Sequence, residues 1–127
     1  MNNNITIWNV GSEVRKALLS NEKLNKKVNG AVSPLIVKEG TKFPFIVYQK
    51  SGGFYDYNKD GVTGGTITID IIVFTDKYEE MCEVSDMIDD AMYEHFNNTK
   101  TVAKLIGCDE NYQDDVYYQP MTFQFSI

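Results

Sequence analysis

The spacing of apolar residues along the chain predicts two main helices. From Ile7 the apolar positions recur every three or four residues, the period of one helix face, which predicts a first helix at roughly 5–19. A second stripe of this period begins after Asp76, whose carboxylate suits a helix N-cap, and Asn97-Asn98 ends it. The apolar positions of this second helix are Tyr78, Met81, Val84, Ile88, Ala91 and Met92.

Four further segments have the pattern of β-strands. Residues 66–75 place isoleucine or valine at alternate positions, and residues 121–127 alternate so regularly that their odd positions are expected to face a core. Residues 43–49 are rich in aromatic and β-branched side chains, and residues 102–108 are also strand-like. Each of these segments is therefore predicted to be a strand.

Two shorter elements are predicted between the first helix and these strands. Ser20 and Asn21 are good N-cap residues, so a short helical turn is expected over 22–26, before Asn29-Gly30 stops it. Residues 31–34 end in a proline, which has no N–H to donate to a sheet. They are predicted to form either a short edge strand or an extended link.

The most turn-rich part of the chain lies between the strands at 43–49 and 66–75. Its segments 51–53 and 61–65 read Ser-Gly-Gly and Gly-Val-Thr-Gly-Gly. The pattern predicts a long antiparallel hairpin with a mobile, glycine-rich tip.

The predicted order of elements is α-(α)-β-β-β-α-β-β. It favours an α+β fold, with one mostly antiparallel sheet and both main helices packed on one face. The length of 127 residues is close to that of one domain and no linker divides the chain, so 1–127 is predicted to be a single domain. If the last strand lies at the sheet edge, it could pair with a neighbouring molecule.

The composition favours a globular protein made in a cytoplasm. Hydrophobic residues make up 43% of the chain, enough to build a core. The polar start lacks the build of a secretory signal, and no apolar run approaches the ~20 residues that span a bilayer, so no membrane partner is expected. Cys82 and Cys108 lack a CxxC spacing, and both are expected to be reduced and buried or half-buried.

The net charge of −6 is unevenly distributed. Residues 77–96 carry seven acids and one lysine, whereas residues 1–50 carry eight bases and three acids. Surfaces of opposite sign favour a head-to-tail contact between copies, which closes into a ring when the rotation allows. Two solvated faces without a partner explain the charge equally well. The acidic helix fits nucleic acid poorly, so no such partner is expected, and Lys23, Lys26 and Lys27 are interpreted as a solvated patch.

One local motif resembles the start of a calcium-binding loop. Residues 56–61 read Asp-Tyr-Asn-Lys-Asp-Gly, the D-x-N-x-D-G opening of an EF-hand loop. The twelfth position, which needs a bidentate glutamate, is Ile67, and the flanks are strand-like. Because Asp, Asn and Gly also favour tight turns, a plain hairpin is the preferred interpretation of Asp56, Asn58 and Asp60, and no metal is expected. The alternative is a small cytoplasmic ion- or protein-binding module that uses this loop.

The sequence offers few groups for catalysis. His95 is the single histidine and lies near a helix end, where a structural role is the preferred interpretation. The adjacent acids Glu79/Glu80, Asp89/Asp90 and Asp114/Asp115 would each share one solvated environment, whereas acid–base catalysis needs two unlike ones. Nucleophile elbows and phosphate loops are absent from the sequence. No enzyme activity and no cofactor are therefore expected. A hydrolase remains a third hypothesis, and it would need these groups gathered in an apolar pocket.

The order of several segments resembles the tail-completion proteins of long-tailed bacteriophages and prophages, also called tail-terminator or head–tail joining proteins. The first half of the resemblance consists of residues 14–19 (VRKALL), 32–34 (VSP) and 40–48 (GTKFPFIVY). The second half consists of residues 59–63 (KDGVT), 69–73 (IDIIV), 78–80 (YEE) and 117–125 (YYQPMTFQF). Together these segments span nearly the whole chain.

The resemblance implies an α+β subunit of a virion, made in the cytoplasm of a bacterial host. Such a subunit forms a homo-oligomeric ring, commonly a hexamer, on the head-proximal end of the tail tube and contacts neck or head-connector proteins. The hairpin tip at 51–65 is the expected contact element, because long glycine-rich loops commonly carry binding. The acidic face of the second main helix would be another. The residues expected at these contacts are Tyr55, Tyr57, Asn58, Lys59, Asp60, Glu79, Glu83, Asp86 and Asp90.

Overall fold

A computed structural model describes residues 5–97, 99 and 101–127. Its elements are α1 (Val10–Ser20), α2 (Glu22–Val28), β1 (Val32–Pro34), β2 (Phe45–Asn58), β3 (Gly61–Thr75), α3 (Tyr78–Phe96), β4 (Val102–Cys108), β5 (Asn111–Gln113) and β6 (Val116–Ser126). The strands form one sheet in the order β1-β2-β3-β6-β4, and β5 pairs with the first half of β6. Only β1 and β2 pair in parallel among the described strands. The predicted α+β class with a mostly antiparallel sheet is confirmed.

The core lies between the three helices and one face of the sheet. Alternate residues of β3, from Ile67 to Val73, are buried and pack with the odd positions of β6, among them Phe123 and Phe125. The stripe predicted on α3 supplies Met81, Val84, Ile88, Ala91 and Met92 to the same cluster. The alternate apolar residues of β3 and β6 therefore face the core as predicted, and the helices pack on one face of the sheet.

The first helix begins later than predicted. Residues 7–9 form a turn, and α1 starts at Val10 rather than at residue 5. The hydroxyl of Thr6 accepts hydrogen bonds from the backbone N–H groups of Trp8 and Asn9, both at 3.1 Å. The amide oxygen of Asn9 accepts one in return from the N–H of Thr6, at 2.8 Å. These local bonds compete with helix formation. Ile7, the start of the predicted stripe, is buried nonetheless.

The cap predicted for α3 is wrong. The N-cap position is Lys77, not Asp76, and its side chain makes no capping bond. Instead the hydroxyl of Thr75 accepts from the N–H of Lys77 and donates to Glu80 at 2.7 Å. Tyr78 was expected in the core but is exposed. Its hydroxyl donates to Glu110 at 2.6 Å, which raises the pKa of Tyr78 to about 12.

The shorter elements agree better with the sequence pattern. The side chain of Asn21 caps α2 by accepting from the N–H of Leu24 at 2.9 Å, and Asn29 ends it in the left-handed conformation. The helix reaches Val28, two residues beyond the predicted turn. Residues 32–34 form an edge strand, one of the two alternatives that the proline allowed. The predicted helix end at Asn97 holds, whereas Asn98 lies outside the described residues.

In the second half of the chain one condition is not met, one strand was missed and one expectation is wrong. The last strand, β6, lies inside the sheet between β3 and β4, so the condition for its pairing with a neighbouring molecule is not met. Strand β5 was missed, and it forms a hairpin with β6 through Asp114 and Asp115, whose φ angles are +53° and +66°. Cys82 lies on the outer side of α3 and Cys108 at the end of β4, and both are exposed rather than buried or half-buried.

None of the helices in the described part of the chain is long and apolar enough to cross a membrane.

Candidate functional site

The segment 51–65 is a pair of strands, so the expectation of a glycine-rich loop is wrong. Strands β2 and β3 pair as far as Asn58 and Gly61, with irregularities after Lys50 and after Asp56. Thr66 pairs with Ser126, and Gly65 exchanges two backbone hydrogen bonds with Ile127, at 2.8 and 2.9 Å. Beyond that point the two strands pair only with each other among the described strands. We call residues 55–64 the hairpin arm, and at about 3.3 Å per residue it stands roughly 15 Å beyond the sheet.

The tip of the hairpin arm accounts for the calcium-like motif. The amide oxygen of Asn58 accepts from the N–H of Asp60 at 2.7 Å, which closes the turn, and Gly61 follows with a φ of +123°. The hydroxyl of Thr63 donates to the carbonyl of Asp56 across the strands at 3.2 Å. The predicted hairpin is confirmed. The described residues contain no group of three or more side chains that could hold a metal ion.

The side chains of the hairpin arm divide into an anchor and an exposed end. Tyr55 is half-buried against the core, next to Ile7, and its ring meets that of Tyr57 edge-on at 6.4 Å. Tyr57 is 70% exposed and pairs across the strands with Val62, which is also exposed. Of the predicted contact residues, Tyr55 therefore holds the arm in place. Tyr57, Asn58, Lys59 and Asp60 are exposed and available to a partner.

The acidic face of α3 is only partly free. Glu79, Asp86 and Asp90 are exposed as predicted. Glu83 is exposed too, but Lys27 of α2 lies 2.8 Å from it and 3.3 Å from Glu80. These two carboxylates raise the pKa of Lys27, Glu83 contributing more.

The basic start of the chain and the acidic helix are therefore neighbours within one molecule. Besides Lys27, the side-chain amide of Asn21 donates to Glu94 at 3.1 Å. Part of the opposite charge is neutralised inside the subunit, which leaves less of it for a contact between copies.

The histidine ties two helices together. His95 Nε2 lies 3.1 Å from Glu13 Oε1 of α1, and its ring meets that of Phe96 edge-on at 4.9 Å. The hydrogen bond from His95 is the main cause of a lowered pKa for Glu13. Asp89 and Asp90 lie exposed on α3, and Asp114 and Asp115 lie exposed in the β5–β6 turn. The groups that a hydrolase would need are thus spread over separate surfaces.

An aromatic stack on the helix-free face of the sheet was not predicted. Phe45, Phe74 and Tyr118 are cross-strand partners on β2, β3 and β6. Their ring centroids lie 5.0 and 5.6 Å apart, and Phe43 continues the stack at 5.5 Å. All three ring pairs are close to parallel, with interplanar angles of 11–19°. The sequence signal for this stack was an aromatic residue near the start of β2 and β6 and near the end of β3, which antiparallel pairing brings together.

Two open strand edges lie at opposite ends of the sheet. Strand β1 pairs with residues 46–48 of β2 and leaves the rest of that edge uncovered. Strand β4 is the last of the path at the other end, and its exposed apolar side chains are Val102, Leu105 and Ile106. Sequence reasoning missed this edge, although the lack of alternation in residues 102–108 was a signal that neither face of β4 is fully buried.

Each open edge adjoins a hollow in the surface. The hollow beside β2, the β2 cleft, has a volume of about 420 Å³ and lies between the start of α1 and the end of β1. Its lining includes Trp8, which is 74% exposed, together with Leu35 and Lys50. The hollow beside β4 is smaller, about 200 Å³, and includes Tyr93 and Val102.

Comparison with known proteins gives a likeness of fold. No protein-family model matches the sequence, and no curated protein matches it. Among solved structures the chain is similar to one described as "Virion of native gene transfer agent (GTA) particle". The similarity has a TM-score of 0.66 at 16% sequence identity, and it covers 89% of this chain and 90% of that one. At this identity the likeness establishes a shared fold across nearly the whole of both chains.

Proposed function

We propose that this chain is a structural subunit of a phage or phage-like particle, which caps the head-proximal end of the tail tube and joins tail to head as a ring. The observation that carries the proposal is the likeness of fold to a chain of a gene transfer agent virion, at nearly full coverage of both. The resemblance of segments 14–19, 40–48 and 117–125 to tail-completion proteins supports the same role. The chain acts without enzymatic activity or cofactor, through surfaces alone.

The surfaces of the subunit suit a ring. Two open strand edges at opposite ends of one sheet are different surfaces, so a contact between them is heterologous, and heterologous contacts close into rings when the rotation allows. The hairpin arm projects beyond the sheet with Tyr57 and Val62 exposed, so it reaches a protein above or below the ring without disturbing the core. The arm is therefore the element assigned to the tail tube or the neck.

The acidic face of α3 is the second surface assigned to partners. Its exposed carboxylates Glu79, Asp86 and Asp90 carry no ion pair closer than 4.0 Å among the described residues. A partner with a basic face would be attracted to them, mainly through the rate of association and at low salt.

Deletion of the gene in cells that produce the particle tests this function. Without a terminator, nothing stops growth of the tail tube and the tube has no surface that binds the head. Electron microscopy is therefore expected to show tubes of variable length and separate, tailless heads. Supplying the wild-type chain from a plasmid should restore joined particles. Normal, joined particles in the deletion strain would refute the proposal.

A variant of the hairpin arm sharpens the same test. Tyr57→Ser with Val62→Ser removes two exposed apolar side chains and leaves the buried anchor Tyr55 untouched. The purified variant is expected to keep the melting temperature of the wild-type chain but to restore joined particles poorly. A control is Tyr112→Ser, which removes an exposed aromatic ring from β5, the strand that pairs with the end of β6 away from the arm. Full restoration by the arm variant would show that the arm does not contact the tail or the neck.

The alternative function as an ion-binding module has no observation in its favour. The amide oxygen of Asn58 already accepts the N–H of Asp60, and the six-residue motif is used to close a two-strand hairpin. Calorimetry with Ca²⁺ should therefore show no saturable heat in the micromolar range.

A further inference from the structure

We propose that neighbouring copies of this chain join by strand pairing, with the open edge of β4 on one copy bound antiparallel to the open edge of β2 on the next. The inference rests on the ring proposed above and names the contact that closes it. An open strand edge with unpaired backbone N–H and C=O groups is a template for another strand, and the chain presents two such edges.

The two edges lie at the same position along the strand direction, which we call height. Val102 of β4 pairs with Ser126, Ser126 pairs with Thr66, and Thr66 pairs with Phe54 of β2, so Val102 and Phe54 are level. By the same route, through Phe123 and Ile69, Leu105 is level with Lys50. A rotation about an axis parallel to the strands does not move a copy along the strand direction, so equivalent residues of neighbouring copies have the same height. The β4 edge of one copy therefore meets residues 50–54 of the next, the stretch that β1 leaves uncovered.

The strand directions also agree. Strand β4 is antiparallel to β6, β6 is antiparallel to β3, and β3 is antiparallel to β2, so β4 and β2 run in opposite directions within one subunit. A neighbour produced by rotation about an axis along the strands brings β4 against β2 as an antiparallel pair. Antiparallel pairing is the more stable arrangement per residue. The contact joins two different surfaces, and so it propagates head to tail.

Side chains at matching heights point to matching faces of the sheet. Val102 and Phe54 pair with Ser126 and Thr66, which lie on the helix-free face, and these two apolar side chains are 50% and 57% exposed in the free subunit. Pairing between copies would set them beside each other and shield both from water.

On the helix face, Leu105 of one copy would meet the β2 cleft of the next. Leu105 is 45% exposed and level with Lys50, which lines that cleft together with Trp8 and Leu35. The ammonium group of Lys50 lies 2.7 Å from the carbonyl oxygen of Trp8 and 5.6 Å from the centroid of its ring, which holds the exposed indole at the cleft. The cleft is thus a largely apolar cavity of about 420 Å³ beside β2, into which Leu105 of the neighbouring copy would pack.

Irregularities in both strands limit the contact to a short segment. Strand β4 has a bulge between Leu105 and Gly107, and β2 has one between Lys50 and Gly52. Bulges interrupt a ladder and protect edges from unspecific pairing. The regular stretch common to both edges is residues 102–104 against 52–54, and Leu105 is level with Lys50 on the far side of the β2 bulge. A ladder this short is weak by itself, which fits a ring that closes on a tail tube rather than in free solution.

Cysteine cross-linking in assembled particles tests this contact. In a chain with Cys82→Ser and Cys108→Ser, one matched pair is Val102→Cys with Phe54→Cys and a second is Leu105→Cys with Lys50→Cys. Opposed Cα atoms in an antiparallel ladder lie about 4.5–5.5 Å apart, within the range of a disulfide. Within one chain the two positions are three strand spacings apart, roughly 14 Å, too far for a bond.

The mismatched control is Val102→Cys with Lys50→Cys. Along the strands these positions lie three residues apart, roughly 10 Å, so the control should not cross-link. Each variant is supplied to the deletion strain, and purified particles are oxidised and run on a non-reducing gel. The matched pairs are expected to give a ladder of multimers that ends at the ring number, and the single-cysteine chains only monomers. A circular dichroism melt of each variant checks that it folds. Because there are two matched pairs, the test still works if one of them unfolds.

The outcomes separate this contact from the function on which it rests. If particles contain the variants but neither matched pair gives cross-linked multimers on the gel, strand pairing is overturned and the proposed ring still stands. Dimers formed by a single-cysteine chain would indicate a twofold contact and would also overturn it. Particles that lack the wild-type chain altogether would refute the function itself.

Discussion

Substitution of Gly65 by alanine tests whether the hairpin is a folded ladder or a loose loop. A Cβ atom at Gly65 would lie 3.0 Å from Tyr55 Cδ1 and 3.2 Å from the carbonyl oxygen of Phe54. The second contact is with backbone, so the strand itself must shift. Ile127 adds to the constraint, because it shares two hydrogen bonds with Gly65. Overpacking of this kind costs about 1–3 kcal/mol.

A mobile loop predicts the opposite sign. Replacing glycine by alanine where the backbone is unstrained stabilises a protein by about 0.4–1 kcal/mol, because the unfolded chain loses freedom. Gly107 is the matched control: it lies in edge strand β4, where a Cβ would meet nothing within 4 Å. Gly107→Ala is therefore expected to be neutral or slightly stabilising.

Urea denaturation followed by far-ultraviolet circular dichroism measures both variants. With a slope of about 2 kcal/mol per M for a domain of this size, the Gly65→Ala midpoint should fall by roughly 0.5–1.5 M. A midpoint equal to or above that of the wild-type chain would contradict paired strands at Gly65 and support a mobile loop there.

Three further predictions concern the caps, the carboxylates and the thiols. Asn21→Ala should lower the free energy of unfolding by about 1–2 kcal/mol because it removes the cap of α2, whereas Asp76→Ala should change it little; equal losses in urea denaturation would contradict the observed caps. The hydrogen bond from the threonine at the end of β3 is the main cause of the lowered pKa of Glu80. A lowered carboxyl pKa contributes stability that is present above the unfolded value of about 4.3 and is lost as pH falls below it. Glu80→Gln should thus flatten the acid limb of the stability curve, and an unchanged limb would contradict the role of that bond. Cys82 and Cys108 should both react with a thiol reagent in the native state, and reaction only after unfolding would contradict their exposure.

Much of the sheet and of α3 could be predicted from the sequence because their patterns are local. The alternation in 66–75 and 121–127 is a direct record of which face is buried, and the stripe of α3 has the helical period over five turns. Caps and turns follow short-range rules, which is why Asn21 was identified correctly. The cap expected at Asp76 is absent, and the threonine before it bonds the N–H of Lys77 and the carboxylate of Glu80 instead.

The remaining features depend on contacts between distant parts of the chain. The glycines of 51–65 have the composition of a loop, but Gly65 is held by Ile127 at the other end of the sequence. The place of β6 inside the sheet, and hence the open edge at 102–108, follows from the order of the strands, which single-segment patterns do not encode. Exposed residues such as Tyr57 and Asp86 could be named from their local pattern, whereas the open strand edges could not.

Electron cryomicroscopy of particles that carry this chain would show where the chain lies. We expect a closed ring of copies at the junction of tail tube and head, into which the three helices and the six-stranded sheet fit as one subunit. Density for the chain elsewhere in the particle, or a junction ring built from another protein, would contradict it.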